Sequence, residues 1–156
     1  PISGKIQKLA IYVEPNTGGQ DIDLTQVQIV LSDGNKIVQL KYNNKAYNNS
    51  TNIANIFGTV LSDHPSYTTN NTWEFLGSTD FGVIVMQDAD GSLDNYDKPV
   101  MNTGDKVILI VNATAVFGGL DNRVEVTGEV RPELGSPGII EFTTPPAYPT
   151  NVIELQ

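Results

Sequence analysis

Apolar residues along this chain recur with a period of two or run together for five or six positions. No stretch sustains the i, i+3, i+4, i+7 spacing of an amphipathic helix. Leu9–Val13 is a compact apolar run closed by Pro15 and Gly18-Gly19. Val27, Ile29 and Leu31 alternate with polar neighbours, as do Val38, Leu40 and Tyr42. Asp33-Gly34-Asn35 between the two sets supplies residues that tolerate positive φ, which predicts a β-hairpin. Val83–Met86 and Val107–Val111 are unbroken apolar runs, predicted to be strands buried on both faces. Val124 and Val126 alternate with Arg123, Glu125 and Thr127, and Ile139–Phe142 and Val152–Leu155 complete the set. Pro132, Pro137, Pro145, Pro146 and Pro149 exclude helix from the last third. The expected fold is all-β: one immunoglobulin-like antiparallel β-sandwich of roughly eight to ten strands, a single domain over residues 1–156.

One segment breaks the pattern. Residues 43–72 hold eight asparagines with Ser and Thr between them, which reads as a polar surface excursion with a short helical turn or strand near Ile53–Leu61. Trp73 and Phe75 then bring the chain back to the core.

Composition narrows the function classes. There is no cysteine and one histidine, His64, so disulfides, thiolate chemistry and multi-histidine metal sites are excluded. Charged residues are 17% of the chain, against a usual share of about 25%. The net charge is −9, which argues against nucleic acid or an anionic membrane as partner. That charge is concentrated: residues 80–105 carry six aspartates against the single Lys98. No run approaches the roughly 20 apolar residues of a membrane span, and the sequence opens at Pro1 rather than Met.

Three stretches are more specific than the fold pattern. They are Gly82-Val-Ile-Val-Met-Gln-Asp-Ala-Asp90, Gly104-Asp-Lys-Val107, and Val126-Thr-Gly-Glu-Val-Arg-Pro-Glu-Leu-Gly-Ser-Pro-Gly-Ile-Ile-Glu-Phe-Thr-Thr-Pro145. Together they resemble the archaellins, or archaeal flagellins, closely over 80–156 and loosely over 1–42. The resemblance implies a non-enzymatic structural subunit of the archaeal motility filament, exposed outside the cell, with copies of itself as partners. Archaellins carry a leader and a long hydrophobic helix ahead of their β-sandwich. This sequence shows neither, so the resemblance implies the outer domain, expected to be soluble and unable to build filaments by itself.

The aspartate-rich stretch is the main candidate for chemistry. Asp88, Asp90, Ser92 and Asp94 alternate, with Asp97 following, and a turning loop directs such residues inward around one hard cation. The glycine spacing differs from an EF-hand, and Asp-Gly and Asp-Asn also build ordinary turns. A structural Ca²⁺ is the expected ion, and Mg²⁺ fits a flexible oxygen loop less well. Asp105 sits at the far edge of the same segment. Four N-glycosylation sequons begin at Asn48, Asn49, Asn70 and Asn112. Asn70 and one of the first pair are the accessible candidates, whereas Asn112 ends a buried strand and could cap a turn. Asp63-His64 with Ser66 reads as a loop rather than a hydrolytic site. Trp73, Tyr12, Tyr42, Tyr67 and Phe75 would form a sugar-stacking platform if exposed together. That is the rival reading, a secreted carbohydrate-binding or adhesin module with a structural calcium; a buried Trp73 argues against it.

Overall fold

The computed structural model describes residues 4–15, 21–49, 55–133, 136–148 and 155. The architecture is all-β, with nine strands among these residues: β1 (Lys8–Val13), β2 (Ile22–Asp23), β3 (Gln28–Ser32), β4 (Ile37–Asn48), β5 (Asp80–Gln87), β6 (Val100–Met101), β7 (Lys106–Asn112), β8 (Glu125–Arg131) and β9 (Gly138–Thr143). One short helix, α1 (Ala113–Phe117), follows β7. Seven strands form one sheet in the order β1-β7-β5-β4-β3-β8-β9, and β2 and β6 pair separately.

The hairpin forms where Asp33-Gly34-Asn35 predicts it. Gly34 adopts φ 94°, and the Asp33 carboxylate accepts from the backbone N–H groups of Asn35 and Lys36. β3 and β4 then pair in continuous register, Ser32 opposite Ile37 through Gln28 opposite Lys41.

The sheet becomes a sandwich because β4 serves two leaves. Its first half pairs with β3, and its second half pairs with β5, with a register shift between Tyr42 and Tyr47. Alternate residues of both leaves, among them Leu31, Leu40, Val83, Leu109, Val126 and Ile140, enter one buried cluster. The sheet is therefore folded over on itself at the β4 bulge. The β4–β5 pair is parallel, unlike every other pairing in the large sheet. Parallel neighbours need a long crossover, and the Asn-rich segment after β4 is that crossover.

The unbroken apolar runs of β5 and β7 are explained by a second core. Val83, Val85, Val107, Leu109 and Val111 point into the sandwich. Ile84, Ile108 and Ile110 point the other way, onto Ala46, Val60, Trp73 and Leu76. The crossover thus clads the outer face of the β5–β7 leaf. Within it, Asn55–Gly58 closes a turn, Leu61 bridges Asn71, and a 3-10 turn spans Thr72–Phe75. Trp73 is buried, stacks on Phe57 and donates from Nε1 to the Ile56 carbonyl at 2.8 Å. The strand expected at Val152–Leu155 lies outside the described residues except for Leu155, which packs against the main core.

Strand β8 shows how closely the second leaf is built. It lies between β3 and β9, with Gly128 opposite Leu31 on one side and Ile140 on the other. A Cβ placed on Gly128 would stand 1.9 Å from the Val30 carbonyl oxygen and 2.9 Å from its carbon. Only glycine fits so near a neighbouring backbone.

Candidate functional site

Antiparallel pairing assembles the acidic site. β5 and β7 are neighbours, with Gln87 opposite Lys106, so the end of one strand lies beside the start of the other. Asp88 follows β5 directly and Asp105 immediately precedes β7. Asp90 is one turn into the connecting loop. Carboxylate oxygens of Asp88, Asp90 and Asp105 lie within 4.8 Å of one another.

Each carboxylate is held by the loop's own donors. Asp105 is 1% exposed; its Oδ1 accepts from the Ala89 N–H at 2.9 Å and its Oδ2 from the Asn102 N–H at 2.9 Å. Ser92 Oγ stands 3.4 Å from the same Oδ2 while donating to the Val100 carbonyl. Asp88 accepts from the Gly91 and Leu93 N–H groups, and Asp90 accepts from the Ser92 N–H and the Asn102 amide. Burial, followed by the charges of Asp105 and Asp90, pushes the Asp88 carboxyl above its ordinary value. Hydrogen bonds from Asn102 and Ser92 hold Asp90 down to about 2. The ion pairs among the described residues, Lys5–Asp121, Lys98–Asp23 and Arg131–Glu129, all lie elsewhere.

The structure thus brings Asp88, Asp90 and Ser92 together, and adds Asp105. It sends Asp94 and Asp97 away. The reason is Leu93, which is fully buried and interrupts the outward alternation. Tyr47 donates its hydroxyl to the Leu93 carbonyl, and Tyr42 donates to the Tyr96 carbonyl, both at 2.6 Å. These two bonds lay the loop along β4, where Asn49 donates to Asp94 and Asn44 to Asp97. Burial pushes both tyrosine hydroxyls well above their ordinary pKa, so they remain donors. Asp97 faces a separate open cleft of about 340 Å³ with Thr25, Tyr42, Asn43, Asn44 and Asp80. Asp105 belongs to the cluster through strand pairing rather than local spacing. Its only sequence signal is a position at the edge of an apolar run next to the strand that Asp88 ends.

The other candidates separate as clearly. Asn48 is 6% exposed and donates to the Leu61 carbonyl. Asn112 caps α1, its Oδ1 accepting from the Ala115 N–H at 3.2 Å and its amide donating to the Leu76 carbonyl. Asn49 is half-buried and directed at Asp94. Asn70 sits in a turn, with its amide 3.4 Å from Glu74. His64 Nδ1 accepts from the Ser66 N–H, and its ring packs against Tyr67 and Tyr96. The Asp63 carboxylate accepts from the Asn49 N–H. The aromatic candidates are dispersed: Trp73 is buried under Lys8, Tyr42 packs on Phe81, Tyr67 on Phe75, and Tyr12 is exposed on β1.

Comparison with known proteins decides the family. The profile for archaeal-type flagellin matches residues 1–142. The chain belongs to that family. It is 45% identical over 153 residues to flagellin B2 of Methanocaldococcus jannaschii, covering 97% of this chain and 65% of that protein. It is 37% identical to flagellin B3 of Thermococcus kodakarensis, covering 97% and 70%. Its fold matches the crystal structure of archaeal flagellin FlaB1 from Methanocaldococcus jannaschii with a TM-score of 0.81 and 41% identity, over 98% of this chain and 87% of that one. The chain thus spans about two-thirds of the length of the flagellins it matches. Nearly the whole of this chain is covered in each case. The three stretches that carried the sequence resemblance map onto β5 with its acidic turn, the entry to β7, and the β8–β9 hairpin containing Gly128.

Proposed function

We propose that this chain is the outer domain of a filament subunit on the archaeal cell surface, a structural rather than enzymatic protein whose partners are further copies of itself. The observation that carries this reading is the whole-chain match, in sequence and in fold, to archaeal flagellins. The buried Trp73 counts against the carbohydrate-binding alternative. An antiserum against this chain should label cell-surface filaments along their whole length in immunogold microscopy. Label confined to the cell body would overturn the assignment.

The second part of the proposal is a structural calcium on Asp88, Asp90 and Asp105. Ligands at about 2.3–2.6 Å from one ion lie no more than about 5 Å apart, and the three carboxylates meet that limit. Every group is an oxygen donor, and Ser92 adds a fourth. Bound, the ion would neutralise like charges that otherwise repel across the junction of β5 and β7. Titrating chelated protein with calcium to a hundredfold excess over Kd should add about 2.7 kcal/mol of stability, raising Tm by about 8 °C. An unchanged melting curve would reject the ion. The response should shrink as pH falls, because protons compete for the carboxylates. Asp88, pushed up, protonates before Asp90, which is held down.

Asn70 is the proposed glycan acceptor, since Asn48 is buried, Asn49 is directed at Asp94 and Asn112 caps α1. Intact-mass analysis of native protein should show a glycan that Asn70→Gln removes. An unmodified mass, or a glycan that survives the substitution, counts against it.

A further inference from the structure

The two leaves are treated differently on their outer faces. The crossover clads the outer side of the β5–β7 leaf, whereas the leaf formed by the first half of β4 with β3, β8 and β9 presents its outer residues to solvent. Ile37 and Ile139, the two most exposed large apolar residues among the described residues at 74% and 69%, both lie on that bare face.

Register lays the face out in rows. Lys41, Gln28 and Arg131 form the first, and Gln39, Val30, Glu129 and Ile139 the second. Ile37, Ser32, Thr127 and Glu141 form the third, and Glu125 opposite Thr143 ends the sequence. Successive rows are about 6.7 Å apart. The face is therefore basic at one end and acidic at the other, and its middle rows hold Ile37, Val30 and Ile139 together with Glu129 and Glu141.

We propose that this face pairs with the same face of a second copy, with the strands of the two copies antiparallel. Charge selects that orientation. Stacking with rows in the same order would set Lys41 and Arg131 of both copies against each other. Reversing the rows lays β8 over β8 and brings Arg131, which pairs with Glu129 of its own chain, to Glu125 of the second copy as well, twice by symmetry, with Ile37, Val30 and Ile139 between them. Two sheets stack in this way at about 10 Å. Four strands by four rows is a small footprint, in the range of weak, transient interfaces. The contact is isologous and closes on two copies, so it cannot propagate a filament whose subunits all point one way. It would instead join copies on neighbouring filaments, where repetition multiplies a weak contact.

Sedimentation equilibrium of the chain at rising concentration tests this independently of filament assembly. The expected result is a monomer–dimer equilibrium weakened at least tenfold by Arg131→Glu, by Glu125→Arg and by Ile139→Asp. The double swap R131E/E125R should recover affinity to within threefold. All three positions are exposed, and unchanged melting curves confirm that folding is intact. A monomer at every concentration overturns the proposal, as does a dimer insensitive to these substitutions. A double swap no tighter than the singles also overturns it.

Discussion

Asp105→Ala should produce the largest loss of stability, about 3 kcal/mol in chelator and about 6 kcal/mol in saturating calcium. The buried carboxylate accepts charge-assisted hydrogen bonds from the N–H groups of Ala89 and Asn102, one at each end of the acidic loop. Such bonds contribute about 1.5–3 kcal/mol each, and both part-buried donors lose their acceptor when it is removed. One opposing effect is present: loss of the Asp105 charge relieves Asp88, whose carboxyl is raised partly by that charge. Asp88 is only partly buried, so solvent screens this relief and the lost hydrogen bonds win. Asp105→Asn separates the contributions. Its carbonyl oxygen replaces one acceptor, but its NH₂ faces the other N–H. It should therefore recover little of the loss and none of the calcium response. Urea denaturation with and without calcium measures both differences. Wild-type stability in Asp105→Asn, or an intact calcium shift, would place the ion elsewhere.

Gly128→Ala comes second. The added methyl would stand 1.9 Å from the Val30 carbonyl oxygen, which is backbone in the adjoining strand and cannot swing aside. Relief requires β3 and β8 to separate where Val30 and Leu31 oppose Glu129 and Gly128. Overpacking of this kind costs about 3 kcal/mol, the upper part of its usual range, and lowers Tm by about 10 °C. Gly138→Ala in the adjoining β9 is the control, because nothing lies within 4 Å of its added Cβ. Equal stability of the two variants would show that the leaf relaxes freely at Gly128.

Much of the fold is legible where local chemistry and tertiary packing agree. Alternation in β3, β4 and β8 marks one buried face. The unbroken runs of β5 and β7 mark two, and the second core under the crossover is the reason. The Asp33-Gly34-Asn35 turn needs no tertiary information at all. Two features escape a local reading. β4 reads as ending at Tyr42 because Asn43 and Asn44 look like loop residues, yet the strand continues to Asn48. Those asparagines occupy the bulge, where Asn43 donates to the Phe75 carbonyl and Asn44 to Asp97. The two-residue strands β2 and β6 are too short to show any period. For the acidic site, alternation identifies Asp88, Asp90 and Ser92, then fails at Leu93, whose burial depends on Tyr47 from another strand. Asp105 is distant along the chain and adjacent only through pairing.

The continuity of β4 through both leaves has a mechanical meaning. In a filament subunit of the kind proposed, a sideways load would let two separate sheets held by apolar side chains slide past one another. Here a single backbone crosses the fold and is laddered to β3 on one side and to β5 on the other. Torque applied to either leaf is carried through covalent bonds to its mate, and sliding would have to strip one of the two ladders. The domain should therefore transmit torsion as one stiff body, yielding first at the bulge between Tyr42 and Tyr47.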